Sequence, residues 1–283
     1  MGVFTALMGC RSVAADPSKP KMRLWTVYSH ILVAVSVLLP LPALAYTVSP
    51  NLVLLRSRGA ESSGFIQLEN KGAKPAAVEI TIHEVHKDLD GQAISGKAAD
   101  DDFIIYPAQL VMVPGDEVGV QVRWIGELAL DAERAYTLVA REVPIPRKSG
   151  EESEPSVGIR VDITVLINYE VRIYVAPPGA KPRVVVESVT DRPPPAGAGP
   201  AASAQLEIIL ANQGTAHASM GDMTLVLLPV DPTGAPLKQR AVTLSARDIP
   251  AMNKHLLAGE QRRLLIPRPS GLPAGPVRVV LSD

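Results

Sequence analysis

The stretch GIRVDITVLINYEVRIYV, residues 158–175, decides the fold. Every odd-numbered position from Ile159 to Val175 is apolar, and the even ones carry Arg160, Asp162, Thr164, Leu166, Asn168, Glu170, Arg172 and Tyr174. Successive side chains of a strand point to opposite faces, so strict period two marks a β-strand with one buried face. The run is also long. Strands average about 5–6 residues, and at ~3.3 Å per residue this one reaches roughly 50 Å if unbroken. A small domain does not need that much strand for its own core. The surplus apolar face, and the arginine embedded near its end, need a purpose.

Outward from this strand the pattern stays β. SGFIQLE (63–69) runs into the turn Asn70-Lys71-Gly72, and AVEITIHEV (77–85) follows. Leu110–Val113 leads through Pro114-Gly115-Asp116 into VGVQVRW, ending at Trp124, and AYTLVAREV spans 135–143. Short strands at ~8–12-residue spacing with turn signals between them indicate an all-β sandwich. The charged segment from Gly150 to Pro155 reads as a solvated loop, and Ala176-Pro177-Pro178-Gly179 ends the long strand. Paired prolines lack ladder donors, which makes this a domain junction. Beyond it, strands are expected at 184–189, 204–210, 223–228, 262–266 and 277–281, with a Pro/Gly/Ala-rich loop at 191–203. The division is then 1–45, 46–177 and 178–283, the last two each near the ~100 residues of a sandwich. The halves echo each other: in each a strand ends in Asn-x-Gly, and Pro114-Gly115 or Ala258-Gly259 later precedes an alternating strand.

The 283 residues carry a net charge of −1, with no basic field to bind nucleic acid. Lys21, Met22 and Arg23 precede an apolar run from Ile31 that ends Ala43-Leu44-Ala45. A basic n-region, an apolar h-region and an A-x-A site make a secretory signal peptide cleaved before Tyr46. The run is short for a membrane span and is broken by Pro40 and Pro42, so the mature protein is not expected to insert into a membrane. A signal peptide opens on its basic region, which leaves residues 1–20 upstream and makes Met22 an alternative start to Met1. The single cysteine, Cys10, lies ahead of the cleavage site, so the mature chain has no thiolate chemistry.

No catalytic set emerges. His83 and His86 lie three apart in a strand, hence on opposite faces, and no further His or Cys joins them as metal ligands. Asp100, Asp101 and Asp102 lack the oxygen spacing and turn glycine of a calcium loop and read as a solvated loop. Gly-x-Ser-x-Gly, His-Glu-x-x-His and phosphate-binding glycine loops are absent. Neither an enzyme, nor a metal, nor a cofactor is expected.

Across the mature chain the segments resemble the periplasmic pilus-assembly chaperones of the chaperone–usher pathway, in that family's order. They are VSPNLVLL (48–55), GFIQLEN (64–70), VMVPGDEVGVQVRW (111–124) and LDAERAYTLVAREVPIP (130–146). The long alternating strand and its proline junction follow, then ANQGTAHA (211–218) and LLAGEQRRLLIP (256–267). The resemblance implies two immunoglobulin-like sandwiches in an L or boomerang arrangement, located in the periplasm. It implies a protein that binds pilin or fimbrial subunits lacking their last strand, fills the gap with its own long strand, and delivers them to an outer-membrane usher. Such donor-strand complementation is β-strand addition: main-chain hydrogen bonds along an edge, alternate side chains into the groove. By position the donor side chains are Val161, Ile163, Val165 and Ile167. Arg172 falls where the family keeps a basic residue for the subunit's C-terminal carboxylate, which would fix the register.

The chain departs from the family pattern in places. A first-strand arginine that serves the family as second anchor is matched by Leu52 or Leu54, with Arg56 and Arg58 nearby as substitutes. The usual Arg-Pro at the end of the long strand is Ala176-Pro177, and the short loop 147–158 resembles the short-loop branch. Taken alone, the alternating strand is a half-buried structural strand and Arg172 a solvated residue or a partner of Glu170. A long apolar edge must also be masked, by self-association, a loop or a client. The alternative is an exported structural β-sandwich component of a fimbria or cell surface. It would need an unpaired N-terminal extension, whereas here the first strand starts almost at the mature terminus. A carbohydrate-binding or enzymatic sandwich would need an aromatic platform or acid pair, and aromatics are only 4% of residues.

Overall fold

The computed structural model describes residues 46–145, 166–193, 204–231, 233–249, 252 and 255–282. They form strands joined by turns and short 3-10 segments, and none of their helices is long and apolar enough to cross a membrane. The first set of strands is β1 (Thr47–Ser49), β2 (Leu52–Arg56), β3 (Ser63–Glu69), β4 (Ala76–Lys87) and β5 (Ala93–Ala98). It continues with β6 (Phe103–Tyr106), β7 (Gln109–Met112), β8 (Glu117–Trp124), β9 (Arg134–Val143) and β10 (Asn168–Ala176). One sheet has the order β1-β3-β8-β6, and the facing sheet β2-β10-β9-β4-β5 with β7 also on β4. All pairings are antiparallel except that of β10 with β2, which is parallel.

The second set is β11 (Val184–Arg192), β12 (Gln205–Asn212), β13 (Ala218–Ser219), β14 (Thr224–Pro229), β15 (Val242–Ser245), β16 (His255–Leu256), β17 (Gln261–Pro267) and β18 (Val277–Ser282). These make the sheets β11-β12-β17 and β15-β14-β18 and the short pair β13-β16. Each set encloses its own core. The first holds Leu55, Ile66, Leu68, Val120, Leu138 and Ile173, and the second Leu206, Ile208, Leu225, Leu227, Leu256 and Leu264. Alternation explains the partition: β12 and β14 both read half-buried and buried by turns, as strands with one face in a core do. The Asp100–Asp102 run, expected as a loop, is a 3-10 turn leading into β6.

The sequence echo is a shared latch. Asn70 is buried, and its side-chain N–H groups donate to Lys74 O and Met112 O, each at 2.9 Å, while its Oδ1 accepts from Gly72 N–H at 3.0 Å. Asn212 repeats the arrangement, donating to Ala216 O at 2.8 Å and Leu256 O at 3.1 Å and accepting from Gly214 N–H at 3.0 Å. The carbonyls of Asn70 and Asn212 accept from Gly115 and Gly259 N–H, both at 2.9 Å. Those two glycines have φ of 88° and 73°, a conformation glycine adopts without a Cβ clash. A buried amide that satisfies three main-chain groups fixes the turn and the start of the following strand together.

β10 departs from simple period two at its end. Val171, Ile173 and Val175 are buried in the first core as the pattern predicts, but Tyr174 and Ala176 of the other face are buried as well. The cause is the second sandwich. Tyr174 packs with Ala135 and with Leu257 from beyond the junction, so the outer face of this sheet is covered there.

Candidate functional site: an open strand edge ending in a cationic cleft

β10 is paired unevenly. On one edge it runs antiparallel to β9 from Asn168, opposite Arg141, to Val175, opposite Arg134. On the other it meets β2 only from Arg172, opposite Leu52, onward. Arg172 N–H donates to Asn51 O at 3.1 Å across that second edge, and Ile167 C=O accepts from Glu142 N–H at 3.2 Å across the first. Main-chain groups of alternate residues face the same edge. The N–H and C=O groups of Asn168 and Glu170 therefore face outward, with no strand paired to them among the described residues. An unpaired row of this kind is a template for another strand.

The strand start is held from inside. Tyr46 is fully buried, its ring 4.9 Å edge-on from Tyr169, its hydroxyl 2.6 Å from Ala140 O and 3.1 Å from Ile167 O. Ile167, half-buried, lies on the same face as Val171 and Ile173. Val161, Ile163 and Val165, the other expected donor side chains, lie outside the described residues.

At the other end of the open edge, Arg172 is exposed and makes no ion pair among the described residues, with Glu170 or otherwise. It lines a cleft of about 580 Å³ whose walls come from both sandwiches, with Lys87 and Gln92 on one side and Ser219 and His255 on the other. Lys87 ends β4, its backbone N–H donates to the Glu260 carboxylate at 2.8 Å, and its Nζ donates to His255 O at 3.1 Å. The cleft is electropositive. Burial, then His217, Arg172 and Lys87, push the His255 ring down to about 4, so it is neutral at pH 7. Burial pushes Tyr174 up to about 12 against the opposing pull of Arg172, so it keeps its proton. Two cations over such a cleft suit a carboxylate.

Arg56 and Arg58 are placed elsewhere. Arg56 pairs with Ala176, four registers beyond Arg172, or ~13 Å along the strand. It lies 3.5 Å from Glu61 and lines a separate cleft of about 500 Å³ with Glu61, Glu133 and His217. Arg58 is exposed in the turn after β2. Beside Arg172, β2 presents Leu52, so the second cation at this level comes from Lys87. Sequence reasoning missed Lys87, His217 and His255, which no local spacing connects. His86 is exposed, 3.8 Å from Glu84 and 4.0 Å from Glu260, and no metal-binding cluster of His, Cys, Asp and Glu occurs among the described residues.

Comparison with known proteins gives the fold a context. Residues 47–180 match the family described as pili and flagellar-assembly chaperone, PapD N-terminal domain. No curated protein sequence matches the chain. The crystal structure of the class 5 fimbriae chaperone CfaA is similar at a TM-score of 0.51 and 12% identity, over 84% of this chain and 99% of that one. A chain of the chaperone–tip adhesin complex of CFA/I fimbriae biogenesis is similar at 0.50 and 12% identity, over 83% and 97%. These likenesses show a shared two-sandwich fold.

Proposed function

We propose that the chain, whose residues 47–180 match the pili and flagellar-assembly chaperone family, works as a periplasmic chaperone of the chaperone–usher pathway. Its clients are pilin or fimbrial subunits that lack a strand, and it passes them to an outer-membrane usher. Residues 46–177 form the capturing domain, and 178–283 supply the far wall of the cleft.

The observation that carries this reading is the half-paired edge of β10, which leads directly into the Arg172–Lys87 cleft. A client strand pairs along the outward Asn168 and Glu170 groups and the segment preceding them. Val161, Ile163, Val165 and Ile167 fill its open core. Each aliphatic side chain so buried contributes roughly 1.5–3 kcal/mol, less the cost of ordering both partners. The client's terminal carboxylate rests between Arg172 and Lys87. That contact sets the register, because a slip of one residue turns every donor side chain to the wrong face.

Co-expression in a periplasm with a candidate subunit, followed by pull-down, tests this function. The expected outcome is a one-to-one complex that disappears with Ile163→Asp. A subunit that accumulates and stays soluble without this protein would move the surface-component alternative to first place.

A further inference from the structure

Four side chains stack where the two sandwiches meet. Glu133, ahead of β9, and Tyr174 of β10 come from the first, and His217 and His255 from the second. Glu133 Oε1 accepts from His217 N–H at 3.0 Å and lies 2.7 Å from its Nδ1. The imidazoles of His217 and His255 are stacked, 4.7 Å apart at 17°. The Tyr174 ring lies 4.2 Å from that of His217, and its hydroxyl 3.0 Å from His255 Nδ1. The Glu133 side chain is 4% exposed and that of His217 18%.

The two rings meet different surroundings. His217 sits against the Glu133 carboxylate. His255 has no hydrogen bond or ion pair to a carboxylate among the described residues. It faces the His217 ring and the Tyr174 hydroxyl, with the cations Arg172 of β10 and Lys87 of β4 near it and Glu133 opposing them. Its carbonyl is occupied by Lys87 Nζ and, at 3.5 Å, by Arg262 Nη2. A neutral ring protonated on Nε2 accepts the Tyr174 hydrogen bond at Nδ1. A second proton removes that acceptor and sets a cation against His217 and the two basic side chains.

We propose that the Glu133–His217–His255–Tyr174 stack is a proton-sensitive clasp between the sandwiches, closed at neutral pH and loosened by acid. It requires no client and so stands apart from the capture reading. The sign follows from linkage. Released into water, His255 takes up its proton near the ordinary 6.5, but in the closed stack only near 4. Between those values the open form binds more protons, so the clasp is fully effective above 6.5 and is lost as pH falls toward 4. Because the ring is only half-buried, solvent screening reduces the effect to about a tenfold rise in the open fraction. Arg263–Asp90 and Lys87–Glu260 still bridge the junction, so the sandwiches separate further without dissociating. Burial raises the Glu260 carboxyl, so that group also titrates at this junction and must be distinguished from His255.

The chain after residue 45 has no cysteine, so spin labels on Lys97→Cys and Arg247→Cys, both exposed, report one distance between the sandwiches. The expected result is a distribution that broadens between pH 7 and 4, with the same midpoint as the His255 ring proton signal by NMR. His255→Gln abolishes the pH response. Since that substitution also alters the resting stack, His217→Gln provides a second test: removing the facing imidazole reduces the response while leaving His255 in place. An unchanged distribution, a response that survives His255→Gln, or a His255 ring that titrates near 6.5 in the closed protein would overturn the proposal.

Discussion

Arg172→Glu is expected to abolish subunit capture and to leave the protein folded. The Arg172 side chain is exposed and unpaired among the described residues, and its link to β2 is the main-chain bond to Asn51 O, which glutamate retains. Substitutions at such positions change stability by about 0.5 kcal/mol or less. Capture is another matter. Truncating one partner of a desolvated charge pair costs about 2–5 kcal/mol, and reversal adds repulsion of the arriving carboxylate. The affinity for a client falls at least about a hundredfold. Pull-down of co-expressed subunit together with a thermal melt checks both halves. Normal co-purification would remove Arg172 from the anchor role, and a collapsed melt would show that it belongs to the fold.

Asn70→Ala is expected to lower the melting temperature by about 10 °C. The substitution strands Lys74 O and Met112 O, and Gly72 N–H loses its acceptor. Buried polar groups left without partners cost about 1–3 kcal/mol each, and partial solvation of the turn brings the total to about 3 kcal/mol, or a few degrees per kcal/mol for domains of this size. Asn212→Ala has the same expected effect on the second sandwich. Because the two asparagines serve separate cores, the double variant is expected to be additive. A shift under about 2 °C for Asn70→Ala would mean that the latch is ornamental.

Strand pattern and turn punctuation were legible in the chain because they are local. GFIQLE, VGVQVRW and AYTLVAREV alternate on their own, and each becomes a strand of the first sandwich. Asn-x-Gly was visible as a turn, but its bonding was not: Asn70 reaches Met112, and Asn212 reaches Leu256, across distances no pattern spans. Tyr174 read as a residue of the open face because period two describes one sheet and ignores what packs over it. The same limit hid the cleft. Arg172 stood out as a charge inside an apolar strand, whereas Lys87 and His255 become its neighbours only when the second sandwich closes against the hairpin after β4. Arg56 and Arg58 were close to the expected anchor in sequence, but a parallel register places Arg56 four steps along β10.

Amide hydrogen exchange at Asn168 and Glu170, with and without bound subunit, tests the central claim most directly. Both N–H groups face the edge that no described strand pairs, and so they exchange readily in the isolated protein. Donation of this strand to a client predicts strong slowing at both positions once the complex forms, while Val171 and Ile173, already bonded to β9, change little. Rapid exchange persisting at Asn168 and Glu170 in an intact complex would contradict it, and would place the client on some other surface.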